Sequence, residues 1–135
     1  MRVLLIAPIK LTGLKESKGT IPVPLIHLAA ILKKHGHEPS ILDFSTLSAK
    51  LDTFNCEWAQ NILEEKINQE QPDLVGINCF KTLHFPFTQK ISEIIKSLRP
   101  SLPIVLGGTH PSLFPKEILE HIDSVDYIVI GVGEI

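Results

Sequence analysis

The chain has 135 residues, 44% of them hydrophobic, and its 13 basic and 15 acidic side chains leave a formal charge of −2. This length supports one domain around a single core, and the even spread of charge excludes a basic footprint for nucleic acid and an acidic tail. No apolar run approaches the roughly 20 residues of a membrane-spanning helix. Cys56 and Cys79 form neither a CxxC pair nor a four-ligand metal set, and Met1 leads straight into an apolar run with no signal-peptide pattern, so a reducing cytoplasm with free thiols is expected.

Val3-Leu4-Leu5-Ile6 is a continuous apolar run and predicts a strand covered on both faces. After a long loop over residues 8–23, Leu25, Leu28, Ala29 and Leu32 fall at i, i+3, i+4 and i+7, with Pro24 near the start and Gly36 placed to cap the end of a helix. Ile41-Leu42 predicts a second strand, followed by a loop over residues 44–57. Ala59, Ile62, Leu63 and Ile67 mark a second helix, which must end before Pro72. Leu74-Val75-Gly76-Ile77 predicts the third strand, and Phe87, Ile91, Ile94, Ile95 and Leu98 a third helix that stops before Pro100. Ile104-Val105-Leu106 is the fourth strand. A shorter helix follows Pro115 through Ile118, Leu119 and Ile122, and Tyr127-Ile128-Val129-Ile130 is the fifth strand.

Strands alternating with helices predict an α/β domain over residues 1–135, doubly wound about a five-stranded parallel sheet in the flavodoxin-like order 2-1-3-4-5. In such a sheet ligands sit beyond the carboxyl ends of the strands, so the loops that follow the strands are the ones to read for chemistry. The first is longer than the usual connection, and its Thr12, Gly13, Gly19 and Thr20 offer backbone and hydroxyl groups to an anionic group, although no Walker GKS or GKT follows. After the third strand, Asn78, Cys79 and His84 are weaker candidates, Cys79 being equally compatible with a small buried residue. Gly107 and Gly108 follow the fourth strand and let a bulky ligand approach the backbone, with Thr109 and His110 beside them. Gly131, Gly133 and Glu134 follow the fifth. Asp43 at the end of the second strand is read as a loop or capping carboxylate. No Ser-His-Asp set, catalytic carboxylate pair or zinc spacing can be assembled, so no catalytic or metal-ligating residue is assigned.

The stretches from Pro22 to His37, Pro72 to Ile77, Leu106-Gly-Gly-Thr-His-Pro111 and Asp126 to Glu134 together resemble the N-terminal cobalamin-binding domain of cobalamin-dependent radical SAM enzymes. These include methyltransferases and the anaerobic magnesium-protoporphyrin monomethyl ester cyclase. The resemblance implies a corrinoid lying over the strand ends, touched by Gly107, Gly108, Thr109 and His110 and by the terminal turn of Gly131, Gly133 and Glu134. The family's usual G-E-G-E ending has Val132 in place of its first acid. The D-x-H-x-x-G motif of mutases and methionine synthases, whose histidine binds cobalt from below, is missing from the first loop. Cys56 and Cys79 cannot supply the CxxxCxxC of a 4Fe-4S cluster. The resemblance therefore implies a cofactor-holding domain excised from a longer chain, with the cluster, S-adenosylmethionine and a radical SAM barrel elsewhere in the parent.

Two other readings share the topology. A receiver-like signalling domain would need acids after the first strand, an Asp after the third and a Lys after the fifth, where this chain has Ala7-Pro8, Asn78-Cys79 and Gly131. A flavin- or nucleotide-binding domain would use the long first loop for phosphate.

Overall fold

The computed structural model describes residues 1–8, 21–47 and 56–133. Its strands are β1 (Arg2–Ala7), β2 (Glu38–Asp43), β3 (Leu74–Asn78), β4 (Ile104–Gly107) and β5 (Tyr127–Ile128). All pairings are parallel and the sheet order is β2-β1-β3-β4-β5, the order expected from the alternation of strands and helices. The helices are α1 (Val23–Lys34), α2 (Phe44–Leu47), α3 (Cys56–Glu70), α4 (Phe85–Leu98), α5 (Thr109–Leu113) and α6 (Pro115–His121), with a short 3-10 turn at Thr82–His84.

Successive side chains of a strand point to opposite faces, so the sheet has a core on each side. On one face, Leu4, Ile6, Leu42, Val75, Ile77, Ile104 and Leu106 pack against Ala59, Leu63 and Ile67 of α3 and Phe87, Ile91 and Ile95 of α4. These helical residues recur at four-residue spacing, which puts them on the stripe each helix turns to the sheet. On the other face, Val3, Leu5 and Ala7 meet Leu25 of α1, with Leu28, Ala29 and Leu32 partly buried beside them.

Phe44, fully buried, sits where α3 and α4 converge, with its ring centroid 5.1 Å from Phe87 and 5.7 Å from Trp58, both edge-on. Gly36 ends α1 as its sequence position predicts. At φ +82° it adopts the left-handed conformation, its N–H donates to the Lys33 carbonyl, and the His37 N–H reaches back to Leu32 in a Schellman arrangement.

Two strand boundaries and two short helices differ from the sequence expectation. β2 begins at Glu38, ahead of its apolar pair, because an edge strand tolerates polar residues and Pro39. The fifth strand is paired only over Tyr127–Ile128, although the Val129 N–H still donates to the Leu106 carbonyl. The short helices α2 and α5 lie within segments expected to be loops.

Candidate functional site at the carboxyl edge of the sheet

The ends of β3 and β4 are joined closely. Asn78 stands in register with Gly107, the Cys79 N–H donates to the Gly107 carbonyl at 2.7 Å, and the His110 N–H donates to the Cys79 carbonyl at 3.3 Å. Gly108 turns the chain from β4 into α5 at φ +112°, ψ −177°, a conformation reserved almost entirely for glycine. A Cβ there would lie 2.6 Å from the Cys79 carbonyl oxygen and 2.8 Å from Asn78 Oδ1, so the protein's own backbone demands this glycine. Gly107 is the opposite case. Nothing lies within 4 Å of the position its Cβ would take, so the strand end in register with Asn78 faces open space there.

His110 is buried beneath this edge. Its ring lies between Phe85, at a centroid distance of 4.6 Å, and Phe114, at 5.2 Å, while Nδ1 shares a 3.2 Å hydrogen bond with Thr82 Oγ1. Desolvation lowers its pKa from the usual 6.5, favouring the neutral imidazole. His110 thus clasps the loop after β3 to the turn after β4. Cys79 is fully buried, its thiol pushed up to about 11 by desolvation and directed to the Lys81 carbonyl at 3.6 Å, so it is a neutral thiol under ordinary conditions. His84 lies on the 3-10 turn, its carbonyl accepting the Thr88 hydroxyl at 3.0 Å.

Asp43 is occupied as a cap. One carboxylate oxygen accepts from the Ser45 N–H and hydroxyl at 2.9 and 2.6 Å, and the other accepts from the Thr46 hydroxyl at 2.8 Å. Thr109 is exposed at the first position of α5, and Gly131 and Gly133 are exposed beyond β5. Thr12, Gly13, Gly19, Thr20 and Glu134 lie outside the described residues.

Sequence reasoning missed the groups that hold these loops together. Ser112 donates to the Gly108 carbonyl at 2.8 Å and accepts from the Gly131 N–H at 3.1 Å, tying the β4 turn to the end of β5. The four-residue spacing of His110 and Phe114, one helical turn, was the available signal for the ring stack. The rim is also more apolar than its polar candidates suggest. Phe80 after β3, Leu113 at the end of α5 and Ile130 and Val132 beyond β5 are all exposed, Val132 at 74%. Among the described residues, no group of three or more His, Cys, Asp or Glu could hold a metal ion, and no helix is long and apolar enough to cross a membrane.

The edge therefore combines an uncovered glycine, a few polar groups and exposed apolar side chains. A family model described as the B12 binding domain matches residues 16–135. The chain is 29% identical over 135 residues to the anaerobic magnesium-protoporphyrin IX monomethyl ester cyclase of Rubrivivax gelatinosus, covering 99% of this chain and 23% of that protein. It is 26% identical to an uncharacterized methyltransferase of Pyrococcus horikoshii, covering all of this chain and 28% of that one. It thus spans about a quarter of the length of these relatives. A cobalamin-binding protein from Desulfitobacterium hafniense shares the fold, with a TM-score of 0.60 and 16% identity over 96% of this chain and 53% of the other.

Proposed function

The chain belongs to the B12-binding domain family, and from that premise we propose that it holds a cobalamin against the carboxyl edge of its sheet as the cofactor-carrying part of a cobalamin-dependent radical SAM enzyme. The observation that carries this reading is the uncovered backbone at Gly107, where a Cβ would meet nothing within 4 Å, on a sheet edge whose following segments expose Phe80, Ile130 and Val132. A corrinoid needs close approach to backbone along one margin and apolar contact over the rest of its face, and this edge offers both.

In this reading Asn78, Gly107, Gly108 and Thr109 border the cofactor, and Gly131 and Gly133 meet it beyond β5. Thr12, Gly13, Gly19, Thr20 and Glu134 are proposed as further contacts. Cys79 and His110, both buried, support the contact surface by fixing the two loops that carry it. When bound, cobalamin supplies a cobalt centre able to carry a methyl group or to take part in radical chemistry. His110 is engaged with Thr82 and enclosed by two aromatic rings, so its part is to hold the loops in place.

The reaction proposed for the parent protein is methyl transfer or a radical cyclisation or rearrangement, supported by the names its relatives carry. The 4Fe-4S cluster and S-adenosylmethionine belong, in this reading, to a radical SAM barrel elsewhere in the same polypeptide. The test is to mix the purified protein with hydroxocobalamin, separate them by gel filtration and record the absorption spectrum. Co-elution of corrinoid with protein supports the reading; protein free of corrinoid in every cobalt oxidation state overturns it.

A further inference from the structure

Strand β5 is paired over Tyr127–Ile128, and one further ladder bond follows, from the Val129 N–H to the Leu106 carbonyl at 2.9 Å. Bonds in a parallel ladder join alternate residues, so the next would run from the Gly131 N–H to the Gly108 carbonyl. Gly108, however, turns its chain into α5, and its carbonyl accepts from Ser112 twice, from the N–H at 3.2 Å and from the hydroxyl at 2.8 Å. The Gly131 N–H donates to that same hydroxyl at 3.1 Å. The Ser112 side chain therefore stands in the ladder as a rung, between the donor on one strand and the acceptor on the other.

A helical serine often returns its hydroxyl to the carbonyl four residues earlier. Such a hydroxyl keeps its acceptor lone pairs, and here one of them takes a backbone N–H from the far side of the gap. Accepting and donating through one oxygen polarises both bonds in the same sense. The segment so held is a tight turn. Gly131 and Gly133 take left-handed φ of +85° and +68°, and the Cβ position of Gly133 lies 3.2 Å from Val129 Cγ1. Val129 is tied to Leu106 and Gly131 to Ser112. We propose that Ser112 is a positioning residue for the corrinoid site, its hydroxyl fixing the Gly131–Gly133 turn against the Gly107–Gly108 turn so that both present one surface to the ligand. This rests on the corrinoid reading, in which the two turns border the same cofactor. Alanine at position 112 leaves the Gly108 carbonyl its bond from the backbone N–H but releases Gly131. Threonine keeps a hydroxyl that can make both bonds.

The test compares wild type, Ser112→Ala and Ser112→Thr by amide hydrogen exchange, followed by NMR, and by titration with hydroxocobalamin. The Val75 amide, bonded to the Pro103 carbonyl at 3.0 Å on the central strand, is the internal reference. In Ser112→Ala the Gly131 amide is expected to exchange about five-fold faster and hydroxocobalamin to bind about five-fold more weakly, as for the loss of one hydrogen bond. Val75 should change less than Gly131, and Ser112→Thr should hold both values near wild type. Equal acceleration at Val75 and Gly131 would mark a general loss of stability and overturn the inference. So would unchanged Gly131 exchange in Ser112→Ala, or a threonine variant as impaired as the alanine one. Equal corrinoid affinity of wild type and Ser112→Ala overturns this inference alone, whereas a wild type that takes up no corrinoid overturns the functional reading and the positioning role with it.

Discussion

The Cα of Gly108 lies so close to Cys79 that a Cβ on it would stand 2.6 Å from the Cys79 carbonyl oxygen, whereas a Cβ on the adjacent Gly107 would meet nothing within 4 Å. Two neighbouring glycines of one motif thus answer to different causes. Gly108→Ala combines a disfavoured backbone conformation with a steric clash and is expected to cost about 3 kcal/mol. Gly107→Ala is expected to change stability by no more than about 0.5 kcal/mol. Urea denaturation of the two variants checks the contrast.

His110 gives the protein a defined acid sensitivity. Its folded pKa is lowered by desolvation below 6.5, so protonation favours the unfolded chain. Stability from this group is intact above pH 6.5, falls as the pH drops below that value, and levels off below the folded pKa. His110→Phe retains an aromatic ring between Phe85 and Phe114 but cannot be protonated. Thermal midpoints measured at about pH 7.5 and about pH 5.5 are expected to fall less in the variant than in wild type.

Asp126 joins α4 to the start of β4, accepting from Lys96 Nζ at 2.7 Å and from the Ile104 N–H at 2.8 Å. Partial burial pushes its pKa up, but the Lys96 hydrogen bond, the Ile104 hydrogen bond and the Lys96 charge together hold it below 3.8. Its contribution is therefore present above pH 3.8 and is lost as the pH falls through the folded pKa. Because the pair is partly solvated, Asp126→Ala is expected to cost only about 1 kcal/mol at neutral pH. Urea midpoints near neutrality and in acid should converge for variant and wild type as the carboxyl is protonated.

Phe44 joins β2 to the α3–α4 core, and its truncation to Ala is expected to cost about 3–5 kcal/mol through lost burial and an unfilled cavity. Trp58, the sole tryptophan, stacks edge-on against it and supplies the signal. The native emission of Phe44→Ala should differ from wild type, and its urea midpoint should be lower.

The scaffold was legible because its central strands are continuous apolar runs. Leu4, Ile6, Ile77 and Leu106 each need cover, and helices with three- and four-residue apolar spacing stand between them to provide it. Edge strands were less legible. Glu38, Pro39 and Ser40 extend β2 without apolar character, because an edge strand has only one paired neighbour to satisfy. The paired glycines at the end of β4 were found by their pairing, but sequence could not separate Gly108, held by the Cys79 backbone, from Gly107, which faces open space. Ligand contact by His110 is implied only by the family resemblance, and the structure adds its packing between Phe85 and Phe114. Phe85 is 25 positions upstream of His110, a contact created by the β3–β4 pairing and invisible to local spacing.

Titration of hydroxocobalamin into wild-type and Gly107→Leu protein, with thermal midpoints recorded for both, tests most directly whether the carboxyl edge holds the corrinoid. The predicted result is saturable binding by wild type and at least about ten-fold weaker binding by a variant of equal stability, a loss of roughly 1.4 kcal/mol. Equal affinity of the two proteins, or no binding by wild type, would contradict it.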